Sequence, residues 1–244
     1  MSQNIYDDPQ FFSGYATLDR SVKGLDGAPE WPALRALLPT LHDKKVVDLG
    51  CGYGWFCRYA IEQGAACVLG LDVSEKMLEK AHSLGDAERI VYQRVDLETL
   101  QLPAAHYDLA YSSLALHYLE NIDGLFSMLF TALKPGGKLL FSCEHPIYTA
   151  PHQQGWIEDA QQAKSWPVNH YQQEGERFSH WFAEGVKKQH RKLSSWINAL
   201  IAHGFIIDHL NEWGPTDEQI AINPALAEER ERPMLFLLAA HKPR

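Results

Sequence analysis

The sequence predicts an α/β fold, doubly wound around a mainly parallel seven-stranded sheet, and three observations carry that expectation. Short apolar runs alternate with amphipathic helical stretches through the first two thirds of the chain. The first run enters a turn with three alternate glycines, and the second ends on a carboxylate. Alternation of this kind builds parallel strands joined by right-handed crossovers.

Residues 1–44 form an aromatic-rich leader, with Phe11, Phe12 and Tyr15 ahead of a short helix that Pro32 opens and Pro39 closes. The leader either packs on the sheet or closes over a ligand, and Tyr15 is its candidate ligand-facing residue. Residues 46–49 read as a strand covered on both faces, followed by Gly50, Gly52 and Gly54 and then by helical apolar spacing up to Gly64. A second strand covers 65–72. Ser74 caps the next helix, which carries Met77, Leu78 and Ala81 on one face. Strands are expected at 89–95 and 107–113, then a helix bearing Leu125, Leu129 and Leu133. The Lys134-Pro135-Gly136-Gly137 turn should stop that helix before a fifth strand at 138–143. Residues 144–190 lack sustained periodicity and are too long for an ordinary connection, so they read as an ordered, aromatic-rich cap inserted in a single domain of residues 1–244. A helix at 193–203 and two closing strands at 205–210 and 233–240, paired antiparallel, complete the fold.

Length suits one large domain. A formal charge of −9 opposes a broad nucleic-acid surface, which would show as a basic stripe. The local cluster Lys187, Lys188, His190, Arg191 and Lys192 reads as a solvated face. No apolar run approaches the ~20 residues needed to cross a bilayer, and the first residues lack the pattern of a signal peptide. Both favour the cytoplasm without a membrane partner. Cys51, Cys57, Cys67 and Cys143 form no CxxC and read as small buried apolar residues. No His/Cys/Asp spacing suggests a metal site.

Asp72 stands 22 positions beyond Gly50, where a nucleotide-binding sheet places the acid that accepts both ribose hydroxyls. The Gly-x-Gly-x-Gly spacing departs from the Gly-x-Gly-x-x-Gly of dinucleotide sites, and bulky Trp55 and Phe56 open the following helix. An adenosine ligand without phosphates suits that turn better than a pyrophosphate does.

The runs Val-Val-Asp-Leu-Gly-Cys-Gly-Tyr-Gly from Val46, Gly-Leu-Asp-Val-Ser-Glu-Lys-Met-Leu from Gly70, Asp96-Leu97, the stretch from Tyr107 to Tyr118, and Leu133-Lys134-Pro135-Gly136-Gly137 follow one another across residues 45–143. In order and spacing they resemble the class I S-adenosylmethionine-dependent methyltransferases, in the small-molecule branch near the type 11 and ubiquinone-biosynthesis enzymes. The resemblance implies a Rossmann-like sheet with its last strand antiparallel, with S-adenosylmethionine as cofactor and S-adenosylhomocysteine as product. It further implies backbone at Gly50, Cys51 and Gly52 along the methionine and ribose, Asp72 on the ribose hydroxyls, and Val73 and Met77 beside the adenine. Asp96 and the Leu97 amide should read the adenine edge, and the carbonyl of Ser112 or Ser113 should meet the methionine amino group.

For a protonated nucleophile, a nearby base helps. His117, His145 and His190 are the candidates, each at or beyond the carboxyl end of the sheet. The expected reaction is methyl transfer to a small, aromatic or otherwise apolar acceptor held by residues 144–190. Two readings compete. A nicotinamide-dependent oxidoreductase is supported by Asp72 and opposed by the glycine spacing, and a cofactor-binding sensor or interaction module would keep the pocket without turnover. The sequence is silent on oligomeric state.

Overall fold

The computed structural model describes residues 3–85 and 88–244. Three short helices, α1 (Pro9–Tyr15), α2 (Asp19–Val22) and α3 (Trp31–Leu37), precede the alternating body. That body runs β1 (Lys45–Leu49), α4 (Trp55–Glu62), β2 (Cys67–Asp72), α5 (Glu75–Ser83), β3 (Ile90–Arg94), β4 (Tyr107–Ser113), α6 (Ile122–Ala132) and β5 (Leu133–Glu144). The insertion supplies α7 (Pro146–Thr149), the two-residue strands β6 (Ile157–Glu158) and β7 (Lys164–Ser165), and the hairpin β8 (Gly175–Trp181) and β9 (Ala183–His190). The chain ends with α8 (Leu193–Ala202), β10 (Ile206–Glu212), α9 (Asp217–Ile222), α10 (Glu228–Glu231) and β11 (Leu235–His241).

Seven strands form one sheet in the order β10-β11-β5-β4-β1-β2-β3, with β11 antiparallel to both neighbours. Neighbouring residues of the central strands enter opposite cores, which explains their unbroken apolar runs. Val47, Phe141 and Phe236 pack with Phe126 and Trp196 on one face. Val46, Leu140 and Leu237 pack with Trp31 and Phe56 on the other. From β1 the chain winds outward through β2 and β3, and it returns to lay β4 on the other side of β1. The carboxyl ends of β1 and β4 therefore flank the crevice where the winding reverses, which is where open α/β sheets bind ligands.

Three expectations are corrected. The Lys134–Gly137 stretch lies within β5, not in a turn ahead of it: Leu133 already pairs with Tyr107, and the register jumps before Lys138 meets Leu109. The insertion contains the regular β8–β9 hairpin, whose buried positions include Arg177, Ser179, Lys188 and His190 while Phe178 is exposed. Hydrophobic alternation is absent there because polar residues occupy the inner face. For the same reason the basic cluster is not a solvated face. Lys188 and His190 are buried, Lys187 bridges Glu120 and Glu176, and Arg191 donates to the carbonyls of Leu119 and Glu120.

All four cysteines are free thiols, with Cys51, Cys57 and Cys143 buried and Cys67 partly so. No helix among the described residues is long and apolar enough to cross a membrane.

Candidate active site

The glycine turn is held against the end of β2, where the amides of Gly50 and Cys51 both donate to the Leu71 carbonyl at 2.8 and 2.9 Å. Gly52 has a φ of 52°, and a Cβ built on it meets no described atom within 4 Å, so this left-handed position faces open space. Gly54, at φ 70°, serves packing: a Cβ there would lie 2.1 Å from the Tyr92 hydroxyl oxygen.

Asp72 closes the turn from the side. Its carboxylate accepts the Gly52 amide at 2.8 Å on Oδ2 and the Ser74 amide at 2.9 Å on Oδ1. A carboxylate offers about four lone-pair sites, so this anchoring leaves acceptor capacity for a ligand's hydroxyls. Burial pushes the Asp72 carboxyl up to about 6, against the pull of the Ser74 and Gly52 amides. Asp48, buried in β1, is pushed by burial to about 7 while it accepts the Cys57 thiol proton at 3.3 Å. The Ser74 hydroxyl accepts the Met77 amide at 3.1 Å, capping α5 and holding Met77 beside the turn.

A cavity of about 460 Å³ extends from this turn across the carboxyl ends of β1 and β4 to the insertion. Tyr15, Gly50, Cys51, Gly52, Asp72, Val73, Met77, Asp96 and Leu97 all line it. Ser112 does not: its hydroxyl donates to the Leu49 carbonyl at 2.7 Å inside the sheet, and Ser113 is the residue of this pair that lines the cavity. Beyond β4 and β5 the lining passes to His117, Tyr118, Glu144, Tyr148, Trp181 and Lys188. The leader also contributes Tyr6, whose hydroxyl lies 3.2 Å from that of Tyr118.

Of the three candidate histidines, only His117 lines the cavity. It is buried, and its Nδ1 has no hydrogen-bond partner among the described residues. Burial lowers its pKa to about 4, opposed by Glu144 and assisted by Lys188 and Arg191, so the ring is neutral at neutral pH. His180, on the hairpin, also lines the cavity, though nothing in the sequence singled it out.

The structure places His145 and His190 outside the cavity lining, with both ring nitrogens of each engaged by other protein groups. His145 Nδ1 accepts the Ile147 amide at 3.0 Å, which leaves Nε2–H to donate to Glu212 Oε1 at 2.8 Å. It caps α7 and is not among the residues that line the cavity. His190 Nε2–H donates to the Tyr171 carbonyl at 2.9 Å, and Nδ1 accepts the Thr149 hydroxyl at 2.7 Å. Replacing His145 by alanine should therefore lower folding stability by about 0.5 to 2 kcal/mol, the range for a lost helix cap, while cofactor affinity stays within twofold of wild type. Urea unfolding and calorimetry on the same preparation check both halves.

Glu144 and Lys188 were not anticipated as site residues. Their side chains form an ion pair that joins the end of β5 to the insertion hairpin, with side-chain exposures of 11% and 4%. Burial opposes ionisation of Glu144, but Lys188 outweighs it and holds the carboxyl below its ordinary range.

A family model described as a methyltransferase domain matches residues 47–141. A crystal structure of an S-adenosylmethionine-dependent methyltransferase from Mesorhizobium loti is 54% identical, with a TM-score of 0.86 over 90% of this chain and 100% of that one. The chain belongs to the S-adenosylmethionine-dependent methyltransferases. Similarity along nearly the whole methyltransferase extends to an uncharacterized Haemophilus influenzae protein, 37% identical over 97% of this chain and 96% of that protein. A malonyl-[acyl-carrier protein] O-methyltransferase from Enterobacter lignolyticus is 36% identical over 45% of this chain and 43% of its own length. The comparisons give the nicotinamide reading no support. The cavity fits the cofactor chemically, since it combines a glycine that keeps space clear, a carboxylate with spare acceptor capacity and the apolar Val73 and Met77.

Proposed function

We propose that this methyltransferase methylates a small, aromatic or otherwise apolar acceptor enclosed by residues 144–190. The observation that carries the reading is the continuity of one cavity from Asp72 and the glycine turn to Tyr148, Trp181 and Lys188 of the insertion. When bound, S-adenosylmethionine supplies a methyl group already activated by its sulfonium, so the protein's tasks are to align a nucleophile and exclude water.

The residues divide those tasks along the sheet. Asp72 holds the ribose hydroxyls, and backbone at Gly50, Cys51 and Gly52 follows the ribose and methionine. Val73 and Met77 flank the adenine, with Asp96 and the Leu97 amide at its edge. The Ser113 carbonyl takes the methionine amino group, and Tyr15 closes that end from the leader. On the acceptor side, the Tyr6, Tyr118, Tyr148 and Trp181 rings suit a flat or apolar body. His117, neutral and with a free ring nitrogen, can receive a proton from the nucleophile.

Calorimetry should show binding of S-adenosylmethionine and S-adenosylhomocysteine and none of NADH. Absence of heat with both sulfur nucleosides would sink the reading. The acyl-carrier acceptor of the Enterobacter lignolyticus relative does not transfer to this chain, because the two proteins share less than half of either length.

A further inference from the structure

Glu144 is the last residue of β5 and lines the acceptor half of the cavity. Its Oε1 is bound by Lys188, whereas Oε2 is buried and has no hydrogen-bond partner among the described residues. An ionised carboxylate accepts hydrogen bonds and donates none. On a residue that lines the cavity, a buried oxygen of this kind calls for an N–H or O–H donor, because leaving it without one is unfavourable. The surrounding rings set what can carry that donor. Tyr148 and Trp181 line the same part of the cavity, and the Lys188 ammonium lies 5.5 Å from the centre of the Trp181 ring, which helps to fix it on Glu144.

Charge decides between an alcohol and an ammonium. Lys188 already neutralises Glu144, and the Arg191 and Arg232 guanidiniums lie near enough to act on this group of side chains. His117 is neutral, and Glu229 is taken up by its own ion pair with Arg232. Adding an ammonium would place a further positive charge beside Glu144, the carboxylate that lines the acceptor side among the described residues, which Lys188 already pairs. A neutral hydroxyl satisfies Oε2 without that penalty. We infer that Glu144 is an acceptor-binding residue that takes the hydrogen bond of a neutral hydroxyl on a ring-bearing molecule, so that the acceptor class is phenols and similar alcohols. This rests on the reading of the cavity as the acceptor site, and Lys188 acts in it as the positioning residue for Glu144.

The test is calorimetry on protein saturated with S-adenosylhomocysteine, using three probes of one shape: 2-naphthol, 2-methoxynaphthalene and 2-naphthylmethylammonium. In the wild type, 2-naphthol should bind at least tenfold more tightly than either of the others. Glu144→Gln should reduce the preference over the methoxy compound to below threefold. Because that variant leaves Lys188 buried without its anion, the double variant Glu144→Leu/Lys188→Met, which replaces the pair by apolar side chains, provides the independent check. It should bind 2-methoxynaphthalene at least as well as 2-naphthol. Failure of 2-naphthol to bind, equal binding of the methoxy compound to the wild type, tightest binding of the ammonium, or an undiminished preference in the double variant would each overturn the assignment. Saturation with S-adenosylhomocysteine is measured first, so loss of the cofactor reading shows as absence of that heat, separately from any result with the naphthalenes.

Discussion

Lys188→Met is expected to lower folding stability by about 3 to 5 kcal/mol, the range for removing one partner of a buried ion pair. The size follows from burial, since the substitution leaves Glu144 charged, desolvated and without Lys188 at the end of β5. Urea unfolding at pH 7 measures it. The double variant Glu144→Leu/Lys188→Met should recover most of the loss, because it leaves neither charge stranded. Equal losses in the single and double variants would show that packing of the lysine stem, not the charge, carries the stability. The pair also fixes a pH dependence. Glu144 titrates below its ordinary value of 4.5, so its contribution is present above that value and is lost as pH falls through the lower folded-state pKa. In the double variant this part of the acid sensitivity should disappear.

How the ion pair escaped the sequence reading explains what was legible and what was not. Strands buried on both faces announce themselves as apolar runs, so β1, β2, β4 and β11 were found within two or three residues of their ends. Helix stops and caps were equally plain, as at Ser74 and Gly64. The hairpin β8–β9 inverts the usual rule, placing Arg177, Ser179 and Lys188 inward and Phe178 outward. Periodicity of hydrophobic residues cannot detect a strand whose inner face is polar, and a run of lysines in such a strand looks like solvated surface.

Distance along the chain hid other parts of the site. The proposed cofactor side lies at the carboxyl ends of β1, β2 and β3 and in the turns that follow them, so Gly50, Gly52, Asp72 and Asp96 carry local signatures. The proposed acceptor side draws on the leader, the turn after β4, the end of β5 and the hairpin. No spacing rule connects Tyr6 with Tyr118, which are 112 positions apart. Histidine chemistry alone could not separate His117 from His145 and His190, because the decision lay in which ring nitrogens the backbone and Thr149 had already taken. One available signal was overlooked: Glu144 ends the fifth strand much as Asp72 ends the second, and a carboxylate at the carboxyl edge of a parallel sheet points to the ligand crevice.

Asp72→Ala should weaken binding of S-adenosylhomocysteine by about 1.5 to 3 kcal/mol, the range for hydrogen bonds to a charged group, or roughly 10- to 150-fold in the dissociation constant. An unchanged constant would move the ribose site elsewhere. The same residue predicts the pH dependence of binding. In the proposed site the ribose hydroxyls would donate to the ionised carboxylate, and burial has raised its pKa to about 6, so wild-type affinity should fall as pH is lowered from 7 through 6 to 5. Asp48 is also buried, lines the cavity and titrates at about 7, and Asp7 acts on Asp72 through space. The Asp72 share is therefore the part of the pH profile that is absent in Asp72→Ala. The Asp72 contribution to stability of the unliganded protein should respond in the opposite sense. The native carboxyl takes up its proton before the unfolded chain does, so the cost of burying the charge is full above pH 6 and is relieved as pH falls towards 4. A binding site that keeps a carboxylate partly desolvated for its ligand thus weakens the empty fold at the pH where it binds best. Burial lowers the pKa of His117, His145 and His190, which adds an opposing pH dependence to stability in both proteins. The readout is therefore the difference between wild type and Asp72→Ala: across pH 5 to 7, that difference in calorimetric affinity and that difference in urea midpoint should move in opposite directions.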